Sequence, residues 1–255
     1  MPSLLSRASR VAGRAKEYAL VPVALTLLAF RNVLEAASAS GVSLNVKFAL
    51  PADVATLWTV VDPPTRGVAF QSPVPLLFVP VFLVVEAAVV AGYLGGVRDA
   101  YRGRRPDFAA AASDHWLSIL GVRVVQFLLF FALVAVLSAG GFGVLLLVGF
   151  PLVFVLGYLL WGAPYLVVRR DSDAVTALAE SATVALNDSR YFGFTVAYVV
   201  VAAACSLLLS PVVTGMGLFG VLAGTVVVAY PSLVATAAAT IVVDEAASSV
   251  ASRGP

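Results

Sequence analysis

The sequence predicts an all-α integral membrane protein with six transmembrane helices, arranged as three units of an amphipathic helix followed by a helical hairpin. Three observations carry this. Of 255 residues, 61% are hydrophobic and only 12% are charged, and the mean hydropathy is +0.99. A soluble domain carries about 25% charged residues, so most of this chain must be solvated by lipid. The apolar residues fall in runs long enough to cross a bilayer, which takes about 20 residues at about 1.5 Å each. Thirteen of the 16 Lys and Arg residues fall on one side of a six-span chain, Arg123 among them just inside its span, as the positive-inside bias requires.

Taken in order, residues 1–17 read as an amphipathic cytoplasmic helix, with Leu4, Leu5, Ala8, Val11 and Ala15 opposite Arg7, Arg10 and Arg14. The membrane domain spans 18–245. Its first crossing, Tyr18–Ala37, is uncharged only to Phe30 and reaches full length if Arg31 and Glu35, spaced i and i+4, sit at the far interface. A secretory signal is the competing reading, but Arg31 and Glu35 interrupt its apolar-to-small transition. An external loop, 38–72, follows; Val42–Phe48 alternates roughly as a strand would. The remaining crossings are Pro73–Val97, Leu117–Ala139, Phe142–Val168, Tyr191–Val213 and Leu218–Val243, and residues 246–255 form a cytoplasmic tail. Both termini are expected on the cytoplasmic side of a cell membrane.

The stretch Tyr93–Asp99 (YLGGVRD) returns 72 residues later as Tyr165–Asp171 (YLVVRRD), and Asp244 follows Asp171 by 73. Each ending closes an apolar run, so the period marks three units, about 1–99, 100–171 and 172–244, each finishing on an acidic stop. A helix-like segment, Asp107–Trp116, and a second amphipathic one, Ser172–Asn187, open the later units. In the latter, Val175, Leu178, Ala182 and Ala185 oppose Thr176, Glu180, Thr183 and Asn187. Three repeats suggest the mitochondrial carriers, but their Pro-x-[Asp/Glu]-x-x-[Lys/Arg] signature is missing after Pro22 and Pro151.

The segment Pro164–Phe194, with its Ala177-Leu178-Ala179-Glu180-Ser181 core, and the segment Gly92–Phe108 carry a different resemblance. They resemble elements of prokaryotic multi-span proteins similar to the membrane domain attached to some glycerophosphodiester phosphodiesterases. The resemblance implies a six-span membrane domain and transfers no catalytic residue.

Charge at membrane depth is costly and points to function or to pairing. Glu86 lies 13 residues before Asp99, about 20 Å along a helix. Arg123 and Gln126, on the antiparallel neighbour, can reach it, so Glu86, Arg123 and Gln126 form the candidate intramembrane polar cluster. Pro80 and Pro151 are expected to kink their spans, and Gly220 and Gly224 form a GxxxG face for helix packing. One cysteine and one histidine leave no metal site, and no cofactor is expected. Neither H-E-x-x-H, G-x-S-x-G nor a Walker A loop occurs, so a non-enzymatic membrane module or scaffold is expected, with a small-solute or ion transporter using a site near Glu86 as the alternative. The expected partners are the lipid bilayer, with anionic headgroups at the basic loops, and a membrane protein or a second copy of the chain. Positive-inside bias accounts for the basic loops, so no nucleic-acid partner is expected.

Overall fold

The computed structural model describes residues 3–38, 41–42, 44–62, 76–138 and 145–253, with the side chains of 76, 138, 145–146 and 253 left aside. The secondary structure among these is entirely helical. The helices are α1 (Leu4–Arg14), α2 (Leu20–Leu28), α3 (Phe30–Ala37), α4 (Leu57–Val60), α5 (Val79–Tyr101), α6 (Phe108–Ser138), α7 (Phe150–Leu160), α8 (Ala163–Arg170), α9 (Ala174–Asn187), α10 (Ser189–Gly215) and α11 (Gly217–Arg253). Five stretches are long and apolar enough to cross a membrane: Val79–Tyr101, Phe108–Leu137, Leu147–Arg170, Ser189–Gly215 and Gly217–Ser252. The expected first crossing is instead a bent pair, Lys16–Leu28 and Phe30–Ala37, meeting at 67°.

The bend has a local cause and a local remedy. In a straight helix Phe30 would take the Thr26 carbonyl; with the break at Ala29, the Trp58 indole N–H donates to that carbonyl at 2.8 Å. The Thr26 hydroxyl donates to the Pro22 carbonyl (2.7 Å) and accepts the Leu57 N–H (3.2 Å). A buried backbone group without a partner costs as much as a lost hydrogen bond, so α4 docks where the bend frees one.

The remaining ends follow from capping chemistry. Asp173 caps α9 by accepting from Val175 N and Thr176 N, and Asp188 caps α10 by accepting from Arg190 N and Tyr191 N. Asp171 stops α8 in the left-handed region, at φ 55°. The α7–α8 crossing breaks at Trp161-Gly162 because Pro164 cannot donate to the Leu160 carbonyl. Gln126 Nε2 takes that carbonyl at 3.4 Å and Ser181 Oγ donates to Leu159 at 2.7 Å. The Gly162 N–H donates to the Tyr191 hydroxyl at 3.1 Å, while Trp161 stacks on the Tyr191 ring with centroids 4.4 Å apart.

Several expectations change. Asp107–Trp116 is no separate interfacial helix; from Phe108 it is continuous with its span as α6. Asp244 is not a stop, because α11 continues to Arg253 and absorbs the expected tail. Pro80 stands in the first turn of α5 and Pro151 in the first turn of α7, behind a π-helical turn, Leu145–Gly149. An N–H missing there leaves no carbonyl orphaned, so the interior kinks expected from these prolines are replaced by changes of helix type. Prolines 211 and 231 are the ones inside helices. On α9 the buried face is Ala177, Leu178, Ser181, Val184 and Ala185, while Val175 is exposed. The Gly140–Gly141 turn and Pro73 lie outside the described residues.

Both chain ends meet at one end of the bundle. Helix α1 lies against α11 and buries Ala8, Val11 and Ala12; Arg7 pairs with Glu245 at 2.6 Å, and Arg14 donates to the Ala100 carbonyl. The repeated endings converge there as well. Arg98 contacts Asp99 (3.1 Å) and Asp171 (3.5 Å), and Arg169 pairs with Asp244 at 2.5 Å beneath the Tyr101 ring. Arg98 Nη1 also lies 2.9 Å from His115 Nε2, which must be the unprotonated ring nitrogen to accept. The two glycines of YLGGVRD are explained by close packing. A Cβ on Gly96 would overlap the Tyr18 ring, and a Cβ on Gly95 would overlap Ala111.

Candidate functional site

The segment expected as an external loop does not stay outside the bundle. From residue 44 to 56 it runs without regular structure between α3 and α4, and its tip, Pro51 and Asp53, is buried. Lipid cannot satisfy backbone groups, so irregular chain at membrane depth needs partners from protein. Ser206 of α10, fully buried, accepts the Lys47 N–H (2.9 Å) and donates to the Asn45 carbonyl (3.0 Å). The Tyr165 hydroxyl donates to the Ala52 carbonyl at 2.9 Å. Thr236 Oγ1 lies 3.4 Å from the Asp53 carbonyl and receives the Tyr93 hydroxyl at 3.4 Å. Tyr93 and Tyr165, the tyrosines that open the repeated endings, therefore both hold the inserted tip, one directly and one through Thr236. Lys47 clamps the return of the segment, donating to the Trp58 carbonyl at 2.8 Å and to Asp62 at 2.5 Å.

At the tip Asp53 meets Arg123 of α6 in a direct charge-assisted pair. Arg123 Nη2 also lies 3.5 Å from Glu86 Oε1 on α5, and Nη1 donates to Gln126 Oε1 at 3.2 Å. Glu86, Arg123 and Gln126 are thus brought together, with Asp53 as the member the sequence did not reveal. Side-chain exposure orders them: 6% for Asp53, 21% for Arg123 and 28% for Glu86. The guanidinium belongs mainly to Asp53, since contact is closer and less screened by surroundings there. Arg123 Nε has no hydrogen-bond partner among the described residues. Gln126 bridges the cluster to the helix break by holding the Leu160 carbonyl.

Chemically this is two carboxylates around one guanidinium, and among the described residues no group of three or more His, Cys, Asp and Glu is arranged to hold a metal ion. The cluster offers no nucleophile beside a base. Gly220 and Gly224 pack inside the molecule rather than facing outward. A Cβ on Gly220 would come within 2.6 Å of the Val212 carbonyl, and one on Gly224 within 3.2 Å of Leu57, so the GxxxG face closes the α10–α11 hairpin over α4. Below it, Ala55, Tyr198, Cys205, Val228 and Pro231 line an apolar crevice of about 310 Å³.

No protein-family model matches the chain, and no curated protein or solved structure matches it either.

Proposed function

We propose that the chain is a non-enzymatic membrane module, built to assemble with other membrane components, in which an inserted segment seals the bundle. The observation that carries this reading is that the polar interior is consumed by the chain itself. Arg123, Ser206, Tyr165 and Thr236 all spend hydrogen bonds on residues 45–53. A transport pathway needs polar groups that face water or solute, and here they face backbone and Asp53. The resemblance to the membrane domain of some glycerophosphodiester phosphodiesterases agrees with a module of this kind.

The reading includes six crossings with both ends cytoplasmic. Support comes from the Arg7–Glu245 pair, which joins α1 to the last turns of α11, as an even number of crossings with the bent pair counted as one would require. The basic residues gathered at that end supply the cytoplasmic assignment. The three-unit repeat is supported by two neighbouring pairings at that end, Asp99 and Asp171 with Arg98 and Asp244 with Arg169.

One observation favours the second reading, an ion or small-solute transporter. Glu86 is the most exposed of the three charged members of the cluster, and its one ion pair among the described residues is with the guanidinium it shares with Asp53. Carbodiimide labelling across a pH series in native-like bilayers separates the two. The sealed module leaves Asp53 and Glu86 unmodified at every pH. Modification of Glu86 that titrates near neutral pH and is blocked by a solute would replace the module with a transporter.

A further inference from the structure

At the basic end of the bundle a cleft of about 720 Å³ opens between the 3-10 turn Lys16–Ala19 and the start of α6, lined chiefly by Glu17, Tyr18, Val21, Arg105, Asp107 and Phe108. Its volume is that of a small-molecule site. Its walls differ from the basic loops around it, because two carboxylates face it with one guanidinium. At this end Arg7, Arg98, Arg169 and Arg170 are neutralised by Glu245, Asp99 with Asp171, Asp244 and Glu180 respectively. Among the described residues, Glu17, Arg105 and Asp107 form no such pair, and all three are exposed. Asp107 commits Oδ1 to the Ala110 N–H at 3.0 Å.

Beneath the charges lies an aromatic floor. The Tyr18 and Phe108 rings sit 6.1 Å apart, seated on α5 where a Cβ on Gly92 or Gly96 would collide with them. Phe108 keeps 38% of its surface exposed, and Leu20 and Leu28 of α2, the helix that carries the lining residue Val21, are exposed apolar residues as well. The cleft is therefore polar at its mouth and apolar at its base, the order of a phospholipid entering from the bilayer.

We propose that this cleft binds an intact aminophospholipid, phosphatidylethanolamine, with Arg105 on its phosphate, Glu17 and Asp107 on its ammonium, and its acyl chain along Tyr18, Phe108 and Val21. Sign selects the lipid. A purely anionic headgroup gains one guanidinium and meets two carboxylates, whereas an ethanolamine headgroup satisfies all three. Phosphatidylcholine offers the carboxylates a cation with no N–H to donate. The cleft thus departs from the anionic-headgroup binding expected at the basic loops.

The test uses the full chain in nanodiscs of phosphatidylcholine doped equally with phosphatidylethanolamine and phosphatidylglycerol, with co-purifying lipid read by mass spectrometry. One charge-assisted hydrogen bond corresponds to about tenfold in binding, so phosphatidylethanolamine is enriched about tenfold over phosphatidylglycerol. The pair Glu17→Gln with Asp107→Asn abolishes the enrichment; Asn retains the α6 cap, and an unchanged melting temperature in phosphatidylcholine alone verifies the fold. Arg105→Gln weakens retention of both phosphate lipids. Equal retention of the two doped lipids, preference for phosphatidylglycerol, absence of retained lipid, or enrichment that survives the double substitution overturns the assignment.

Discussion

Asp53 is the residue on which the sealed bundle depends, and replacing it gives a graded result. Removing one member of a buried ion pair costs about 3–5 kcal/mol when the other is left without a counter-charge. Arg123 is not left so here, because Glu86 remains 3.5 Å away. Asp53→Asn keeps the shape and one acceptor and exchanges a charged hydrogen bond for a neutral one, a loss of about 1–2 kcal/mol. Arg123→Met removes the cation that serves two carboxylates and the Gln126 contact, and costs about 3–5 kcal/mol. Because contact is closer at Asp53, the cycle built from Asp53→Asn and Arg123→Met carries a coupling of about 1–3 kcal/mol, and the cycle from Glu86→Gln and Arg123→Met less than about 1 kcal/mol. Reversible unfolding in bicelles, followed by steric trapping or denaturant titration, measures both. An Asp53→Asn variant within about 0.5 kcal/mol of the parent with no coupling to Arg123, or a larger coupling at Glu86, would mean that Asp53 is not the main partner of Arg123.

Gly96→Ala drives a methyl into the Tyr18 ring and lowers stability by about 1–3 kcal/mol; unfolding of Gly96→Ala with Tyr18→Leu recovers part of the loss if the ring is the obstacle. Thr26→Val leaves the Leu57 N–H unsatisfied at about 1–3 kcal/mol, and hydrogen exchange at Leu57 and Trp58 rises while that of α10 does not. The Thr176 hydroxyl, followed by the N–H groups of Thr176 and Val175, holds the Asp173 carboxyl below its usual range. A depressed folded-state value contributes stability above the unfolded value of about 3.9 and loses it as pH falls through the folded one. Protection at Val175 and Thr176, measured relative to the intrinsic exchange rate at each pH, therefore falls only under acid, below about pH 4, and Asp173→Asn removes that fall while keeping the cap.

Composition and run length made the helical membrane class legible, because a chain this poor in charge has no soluble alternative. The polar cluster was half legible. Glu86 and Arg123 stand out because each interrupts an apolar run, and antiparallel neighbours place them at one depth. Asp53 gave no such signal, since it sits in a polar connection where an acid is ordinary. The only hints were the apolar character of residues 48–61 and the need of Arg123 for more than one shared carboxylate. Prolines misled for a related reason. Sequence shows that Pro80 and Pro151 lie in apolar runs, but not that a change of helix type precedes each one, which turns a breaker into a first-turn residue. The acidic residue at 244 reads as a stop only if the helix leaves the bundle there; α1 instead supplies Arg7 to Glu245 and lets α11 continue. The glycines of YLGGVRD looked like part of a repeat and prove to be seats for neighbouring rings, information held by residues far away in sequence.

The inserted segment carries Asp53 to Arg123 inside the bundle. Solid-state NMR in lipid bilayers, on protein with carbon-13 aspartate and nitrogen-15 guanidino arginine, measures that contact directly. A carboxyl-to-guanidinium dipolar contact is expected that is absent in Asp53→Leu, with the signals of the Arg98 and Arg169 pairs unchanged. Spectra of the parent and Asp53→Leu that are identical in this region would contradict it, placing Asp53 outside and leaving Arg123 to Glu86 alone.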